Sequence, residues 1–379
     1  MGPLANLRIV EFAGIGPGPF CAMLLAELGA KVIRIERKEA SGLGVPKPPR
    51  YDLLLRGRKA FALDLKRDEG VEAALRLVDQ ADALIEGFRP GVMERLGLGP
   101  EALLARNPRL VYGRMTGWGQ DGPLAMAAGH DLNYIAIGGA LHSIGRPGAP
   151  PSPPLNLVGD YAGGLYLAFG IVSAILSARE SGVGQVVDAA VCDASAHLMT
   201  SFFGQAAAGV FSAERGTNVL DGGAPYYDVY ECKDGRYASV AAIEPKFFAE
   251  LLRRLGLDAS TFPAQNDRSR WSEARRILAS TFKTRSRDEW SELLQSSDAC
   301  FAPVLALEEA PSHPHFKARA TFVEIDGIIQ PRSAPRFEGT PADPPSPPSA
   351  DRIDSPEDAL KGWLDDDEVA SLRESGAFD

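Results

Sequence analysis

Cysteine is scarce in this 379-residue chain, which has four: Cys21, Cys192, Cys232 and Cys300. They are too scattered for a disulfide framework and show no C-x-x-C metal spacing, so a reducing compartment is expected. Positive charge is in deficit. Lys and Arg total 40 against 50 Asp and Glu, and a formal net charge of -10 works against loose attraction to nucleic acid or an anionic membrane. The chain lacks a basic start followed by a long apolar run, so it is expected to begin directly with its fold. The longest apolar stretch, Leu165 to Ala178, contains Gly170 and Ser173. It falls short of the ~18 residues of a membrane span and reads as a buried helix. Familiar catalytic signatures are missing as well. There is no Gly-x-Ser-x-Gly elbow, Ser280-Thr281-Phe282-Lys283 stands without companion motifs, and His313-Pro314-His315 has no nearby carboxylates to complete a metal site. His197 among Ala194, Ala196 and Leu198 reads as a packed helix residue. No internal repeat is found.

What is present suffices for a sizeable core: 45% of residues are hydrophobic and 24% charged. Leu7 to Phe12 alternates like a strand, Gly14 to Pro19 cannot continue it, and Phe20 to Leu28 has helical spacing before a second strand from Lys31 to Glu36. Similar units follow, with strands at Ala60 to Leu65, Ala83 to Glu86 and Leu110 to Met115 and a helix from Glu69 to Gln80. This pattern predicts a parallel sheet with helices on both faces, closed by a last strand from Gly184 to Ala190. From Tyr226 short alternating strands and polar helices start a smaller second domain. The proline-rich stretch Pro331 to Pro356 reads as extended chain laid over another surface.

The opening unit imitates a dinucleotide fingerprint, with Gly14-x-Gly16 and Glu36 in the place of the ribose-holding acid. Pro19 occupies the third glycine position and weakens the match. Three other residues stand at element borders. His130 lies in a glycine-rich loop before a new apolar element, Asp160 at the entry to the long apolar helix, and Glu244 between a strand and Pro245. Each has an ordinary alternative: a polar helix start, an N-cap and a solvated carboxylate.

Several long stretches, in order, resemble the family III coenzyme A transferase superfamily, and within it the alpha-methylacyl-CoA racemases. They are Leu7 to Pro19, Glu86-Gly87-Phe88-Arg89-Pro90-Gly91, Arg114 to Gln120, Gly129-His130-Asp131-Leu132-Asn133-Tyr134 and Asp221 to Tyr227. The resemblance covers residue 4 to about 337, and nothing is inferred from the chain beyond about Gly339. It implies an α/β fold, with a large Rossmann-like parallel-sheet domain (1–200), a linker (201–224), a small α+β domain (225–325) and a C-terminal return segment (326–379), assembled as an interlocked homodimer. It implies catalytic roles for His130, Asp160 and Glu244. Coenzyme A contacts are implied at Arg37, at Leu63, Asp64, Leu65 and Lys66, at Gly87, Phe88 and Arg89, at Arg95, and at Gly129 and Asp131.

The implied activity is racemisation at the α-carbon of 2-methylacyl-CoA thioesters, with His130 and Asp160 on opposite faces and Glu244 orienting His130. The N–H groups following Gly159 are then the expected oxyanion site. The alternative is a CoA transferase in which Asp160 is the nucleophile. A noncatalytic acyl-CoA-binding protein and a nicotinamide-linked oxidoreductase are more distant readings. No metal and no cofactor beyond the coenzyme A moiety of the substrate is implied. A cytoplasmic location is expected, since Ala377-Phe378-Asp379 is not a Ser-Lys-Leu address.

Overall fold

Alternation along the first strand sets up two cores. In the computed structural model, which describes residues 2–39, 42–349 and 351–379, Arg8–Phe12 (β1) directs Val10 and Phe12 to one side and Ile9 and Glu11 to the other. The neighbouring strands are Lys31–Arg37 (β2), Lys59–Leu63 (β3), Ala83–Glu86 (β4), Val111–Thr116 (β5) and Gln185–Ala190 (β6). All pair in parallel, in the order β3-β2-β1-β4-β5-β6. The chain winds outward in opposite directions from β1 and β4, so the carboxyl ends of these two strands form a crevice where such folds bind ligands.

On one face Val10, Ile33, Phe61 and Leu84 meet Leu77 and Val78 of the helix Asp68–Val78. On the other, Ile9, Val32, Ile85 and Val111 meet Cys21 and Leu25 of helix α1 (Pro17–Glu27) and Leu167, Ile171 and Ile175 of the helix Ala162–Ser181. Each fully buried Leu or Ile contributes about 1.5–3 kcal/mol, more than any helix propensity, which is how a helix holding Gly163, Gly164 and Gly170 persists. α1 begins at Pro17, earlier than apolar spacing alone predicts, because proline at the first helical position forfeits no intrahelical bond.

The helix Ala162–Ser181 is not buried all round. Leu167, Ile171 and Ile175 are packed, but Leu165, Phe169 and Leu176 are 54%, 75% and 62% exposed. Composition is apolar on every side and so conceals which stripe the sheet covers. With the preceding turn from Leu157, this run is long and apolar enough to cross a membrane by length and composition, a test that a core helix also passes.

The structure divides into two compact units, 1–138 with 155–199 and 322–379, and 139–154 with 200–321. The second unit therefore starts before residue 225, and 201–224 is part of it rather than a linker. Arg215 draws these segments together by donating to His142 O (2.7 Å) and Ala149 O, while the Asp221 carboxylate accepts from the N–H groups of Gly216, Asn218 and Gly223. An antiparallel sheet of Tyr227–Glu231 (β7), Tyr237–Ala241 (β8) and Phe301–Pro303 (β9) packs with the helices Pro245–Leu255, Trp271–Phe282 and Arg287–Leu294 around Leu251, Leu278, Phe282 and Trp290.

The chain after Gly339, which carries none of the resemblance, is integral to the first unit. Ser346 O accepts the Gly57 N–H at 2.9 Å, and Asp354 accepts from Ala60 N and Lys59 Nζ at 3.0 and 2.8 Å. The short helices Pro356–Leu360 and Asp366–Glu374 then bring Leu360, Val369 and Leu372 into its core.

Candidate active site

The carboxyl edge of the parallel sheet gathers most of the residues singled out in the sequence. β1 ends in the loop to Gly16, β2 at Arg37, β3 at Leu63 to Lys66, β4 at Gly87 to Arg89, and β5 runs into the glycine-rich loop that reaches His130. Asp160 arrives from the widened turn Leu157–Tyr161 that leads into the long helix. Gly16, at φ 68°, faces it: a Cβ there would lie 2.9 Å from Asp160 Oδ2. Asp160 is thus not an ordinary N-cap, since it lies inside this turn and Tyr161, with no side-chain cap bond, holds the cap position of the long helix.

His130 is the N-cap of the helix Asp131–Ile137, with its N–H bonded to Asn133 Oδ1 at 3.0 Å. Its side chain is exposed. Tyr134, edge-on to Trp118 with ring centroids 4.7 Å apart, donates its hydroxyl to Gly129 O and so fixes the backbone before His130. Desolvation pushes the Asp160 carboxyl above the ordinary aspartate range. The neighbouring Asp131 charge adds to this, while an Asn156 hydrogen bond at 3.4 Å and the charge of His130 oppose it. Tyr134 is raised too, by burial first and then by Asp160. A carboxyl of raised proton affinity therefore stands within electrostatic reach of an imidazole in a single unit, a combination suited to proton transfer.

One expectation is corrected at this point. The N–H groups after Gly159 are not free for an oxyanion: Asp160 N–H donates to Asp131 Oδ1 (2.7 Å), Tyr161 N–H to Asn156 O (3.1 Å) and Ala162 N–H to Gly159 O. The Asp131 side chain is buried in that contact.

The expected coenzyme A positions fall into two kinds. Arg37, Lys66, Arg89 and Arg95 are exposed cations at this edge, and Arg37 lies over the Phe88 ring at 5.4 Å. The Leu63 side chain is in the core, Leu65 packs against it, and the Asp64 carboxylate accepts the Lys66 N–H at 3.0 Å, so this stretch offers a ligand backbone and Lys66 rather than those side chains. The Gly87 to Arg89 loop has a support that the sequence did not reveal. Glu86 accepts from Phe88 N–H at 2.7 Å and from Arg114 Nε at 3.0 Å, and Arg114 reaches Glu94 at 2.8 Å. Burial raises the Glu86 carboxyl, against the pull of Phe88 N–H and Arg114. Glu36 does not wait for a ribose. It pairs with Arg34 at 2.8 Å and Arg352 at 3.2 Å, which together outweigh its burial and hold it below the usual range.

In the second unit Glu244 is an exposed N-cap of the helix Pro245–Leu255, and its charge bears on Cys300, a non-glycine residue at φ 49°. The Asp221 to Tyr227 stretch is held by Arg275, which donates to Gly222 O and Gly223 O at 2.7 Å each and pairs with Asp228.

Residues 4–351 match the model of CoA-transferase family III. The chain belongs to that family. Alpha-methylacyl-CoA racemase from Mus musculus is 44% identical over 344 residues, covering 90% of this chain and 88% of that protein, and the Homo sapiens enzyme of that name is 42% identical over 345 residues with the same coverage. The crystal structure of a CaiB/BaiF family protein from Brucella suis superposes with a TM-score of 0.82 at 27% identity, covering 96% of this chain and all of that one.

Within this family III chain, Glu86, Arg114 and Tyr134 sit inside the motifs that carried the resemblance, yet their jobs were not readable there. Nothing in the sequence says that Arg114 lies opposite Glu86. The parallel register of β4 and β5 puts them side by side. His197, expected to be packed, is exposed and bonds Tyr166 through Nδ1 at 2.6 Å. Among the described residues no group of three His, Cys, Asp or Glu is placed to hold a metal ion.

Proposed function

We propose that this chain interconverts the (R) and (S) forms of 2-methyl-branched acyl-CoA thioesters by 1,1-proton transfer. One of His130 and Asp160 takes the α-proton from one face, the C–H electron pair moves into the thioester as an enolate, and the other returns a proton to the opposite face. The roles exchange with direction. The observation that carries this reading is the electrostatic pairing of His130 with an Asp160 carboxyl of raised proton affinity, in a chain 44% identical to a protein named alpha-methylacyl-CoA racemase. A carboxyl raised by desolvation is a stronger base when ionised, and each half-reaction asks it to take up or return a proton. Because the N–H groups following Gly159 are already bonded, the enolate oxygen needs donors other than these.

Arg37, Lys66, Arg89 and Arg95 bind the coenzyme A phosphates, and the backbone at Gly87 and Gly129 lets the ligand approach closely. These cations give a chain of net charge -10 a local anion site. The active assembly is a homodimer in which Glu244 orients His130 of the partner subunit. The exposed Leu165, Phe169 and Leu176 face supplies apolar surface for that contact. It works in a reducing cytoplasm, where its free cysteines stay reduced.

The test is transfer of solvent deuterium into a 2-methylacyl-CoA. Incorporation at the α-carbon without an acyl acceptor supports racemisation. Dependence on a free carboxylate acceptor would instead support a transferase with Asp160 as nucleophile. A fully active monomer in sedimentation would remove the dimer from the reading.

A further inference from the structure

We infer that Asp131 is a positioning residue for Asp160: its carboxylate, rather than touching coenzyme A, holds the backbone of Asp160 and thereby aims that side chain at the reacting carbon. This rests on the proton-transfer reading of the site. Asp131 Oδ1 accepts the Asp160 N–H at 2.7 Å, and the Asp131 residue is only 9% exposed. The fit leaves no slack. A Cβ on Gly159 would lie 2.2 Å from Asp131 Oδ1 and 2.9 Å from Ile135 Cγ2, so only glycine admits the carboxylate here. The turn Leu157–Tyr161 is wider than an α-turn, and Asp131 supplies the acceptor for the Asp160 N–H. A buried anion is also a poor contact for phosphates, but at the first position of the helix Asp131–Ile137 it is favoured by the helix dipole.

The same carboxylate acts on Asp160 through its charge. The helix Asp131–Ile137 presents His130, Asp131 and Tyr134 toward Asp160. The preceding turn brings the neutral Asn156 amide, the N-cap of α1 brings Gly16, α1 itself brings the Phe20 ring tilted against Tyr161, and the helix Val191–Leu198 brings Cys192, which acts on Tyr134. Asp131 is the anion in this set that raises Asp160. Removing the charge while keeping the acceptor should therefore move the ionisation of Asp160 toward lower pH.

The experiment compares the full chain with Asp131→Asn and Asp131→Ala in α-proton exchange across pH, with hydrogen exchange of the peptide spanning residues 157–161 read by mass spectrometry. Asp131→Asn keeps an acceptor oxygen, so kcat should stay within about tenfold of the parent. In the direction in which Asp160 takes the proton, its acid limb should shift to lower pH. Asp131→Ala should lower kcat about 10²-fold with little change in KM, and should speed exchange in the 157–161 peptide. A rise in KM with kcat intact would make Asp131 a coenzyme A contact and overturn the inference. Unchanged amide exchange in Asp131→Ala, or an unshifted acid limb in Asp131→Asn, would overturn it too. A parent chain that exchanges no α-proton would instead sink the racemase reading, and the amide-exchange arm would still decide whether Asp131 holds Asp160.

Discussion

Gly16 and Asp160 meet across the site: a Cβ on Gly16 would stand 2.9 Å from Asp160 Oδ2, while Gly16 holds φ at 68°. Alanine at this position would face two penalties at once, a backbone at φ 68° and ψ -119° that side-chain-bearing residues rarely adopt, which costs about 1–3 kcal/mol, and displacement of the carboxyl. Gly16→Ala should therefore fold, with a modestly lower melting temperature, but lose about 10²-fold in turnover because the base is moved from its line of attack. Deuterium exchange beside a thermal melt separates these effects. Full activity would show that Asp160 does not depend on this seat.

Asp160→Asn should divide activity from stability. Losing the acid/base group lowers the exchange rate by about 10²–10⁴. Stability runs the other way. The folded carboxyl is raised by desolvation and by Asp131, so the folded state holds its proton more tightly than the unfolded chain. Stability is then lost as pH rises from the unfolded value through the folded one. Asparagine cannot ionise, so the variant should unfold at higher urea than the parent at pH 7, with the gap closing below about pH 4. A variant less stable than the parent at pH 7 would contradict the desolvation argument.

Periodicity made the sheet legible. The six parallel strands follow from alternating runs of apolar residues, as do the short strands that open the small domain after Tyr226. What the sequence concealed was pairing at a distance. Arg114 meets Glu86 only because β4 lies beside β5, and Arg352 meets Glu36 across 316 positions of chain. Asp131 shows the other limit. Its neighbours Gly129 and His130 mark a glycine-rich loop, but whether its carboxylate faces outward or toward Asp160 depends on where another segment packs. Proline content points to chain laid over another surface, and Ser346 and Asp354 do bond Gly57 and Ala60, yet composition cannot show that Trp363 and Leu372 beyond them fill the core.

The exposed cations at the sheet edge should reveal themselves through binding rather than chemistry. On the proposed coenzyme A site, Arg89→Ala removes a charge-assisted hydrogen bond to a phosphate, about 1.5–3 kcal/mol, and should raise KM about 10- to 100-fold with kcat little changed. Arg37→Ala also removes the stacking on Phe88 and should behave similarly, and both penalties should shrink at high salt. A fall in kcat at constant KM would move these residues from binding to catalysis.

The hold of the C-terminal segment on β3 offers a stability test away from the site. Asp354 accepts from Lys59 Nζ, Ala60 N and Ser349 Oγ. Burial would raise its carboxyl, but these donors outweigh that and hold it below the ordinary range. A depressed folded value stabilises the protein above the unfolded pKa, and the contribution is lost as pH falls through the folded one. Asp354→Ala leaves the buried Ala60 N–H without this acceptor and should cost about 1–3 kcal/mol at pH 7, read as a lower urea midpoint. The difference from the parent should narrow once the pH drops below about 4, where the parent begins to lose the same interaction. Because the substitution lies far from His130 in the sequence and touches no proposed ligand contact, the folded variant should keep its KM, and a large change in KM would mean that this strap shapes the ligand edge of β3.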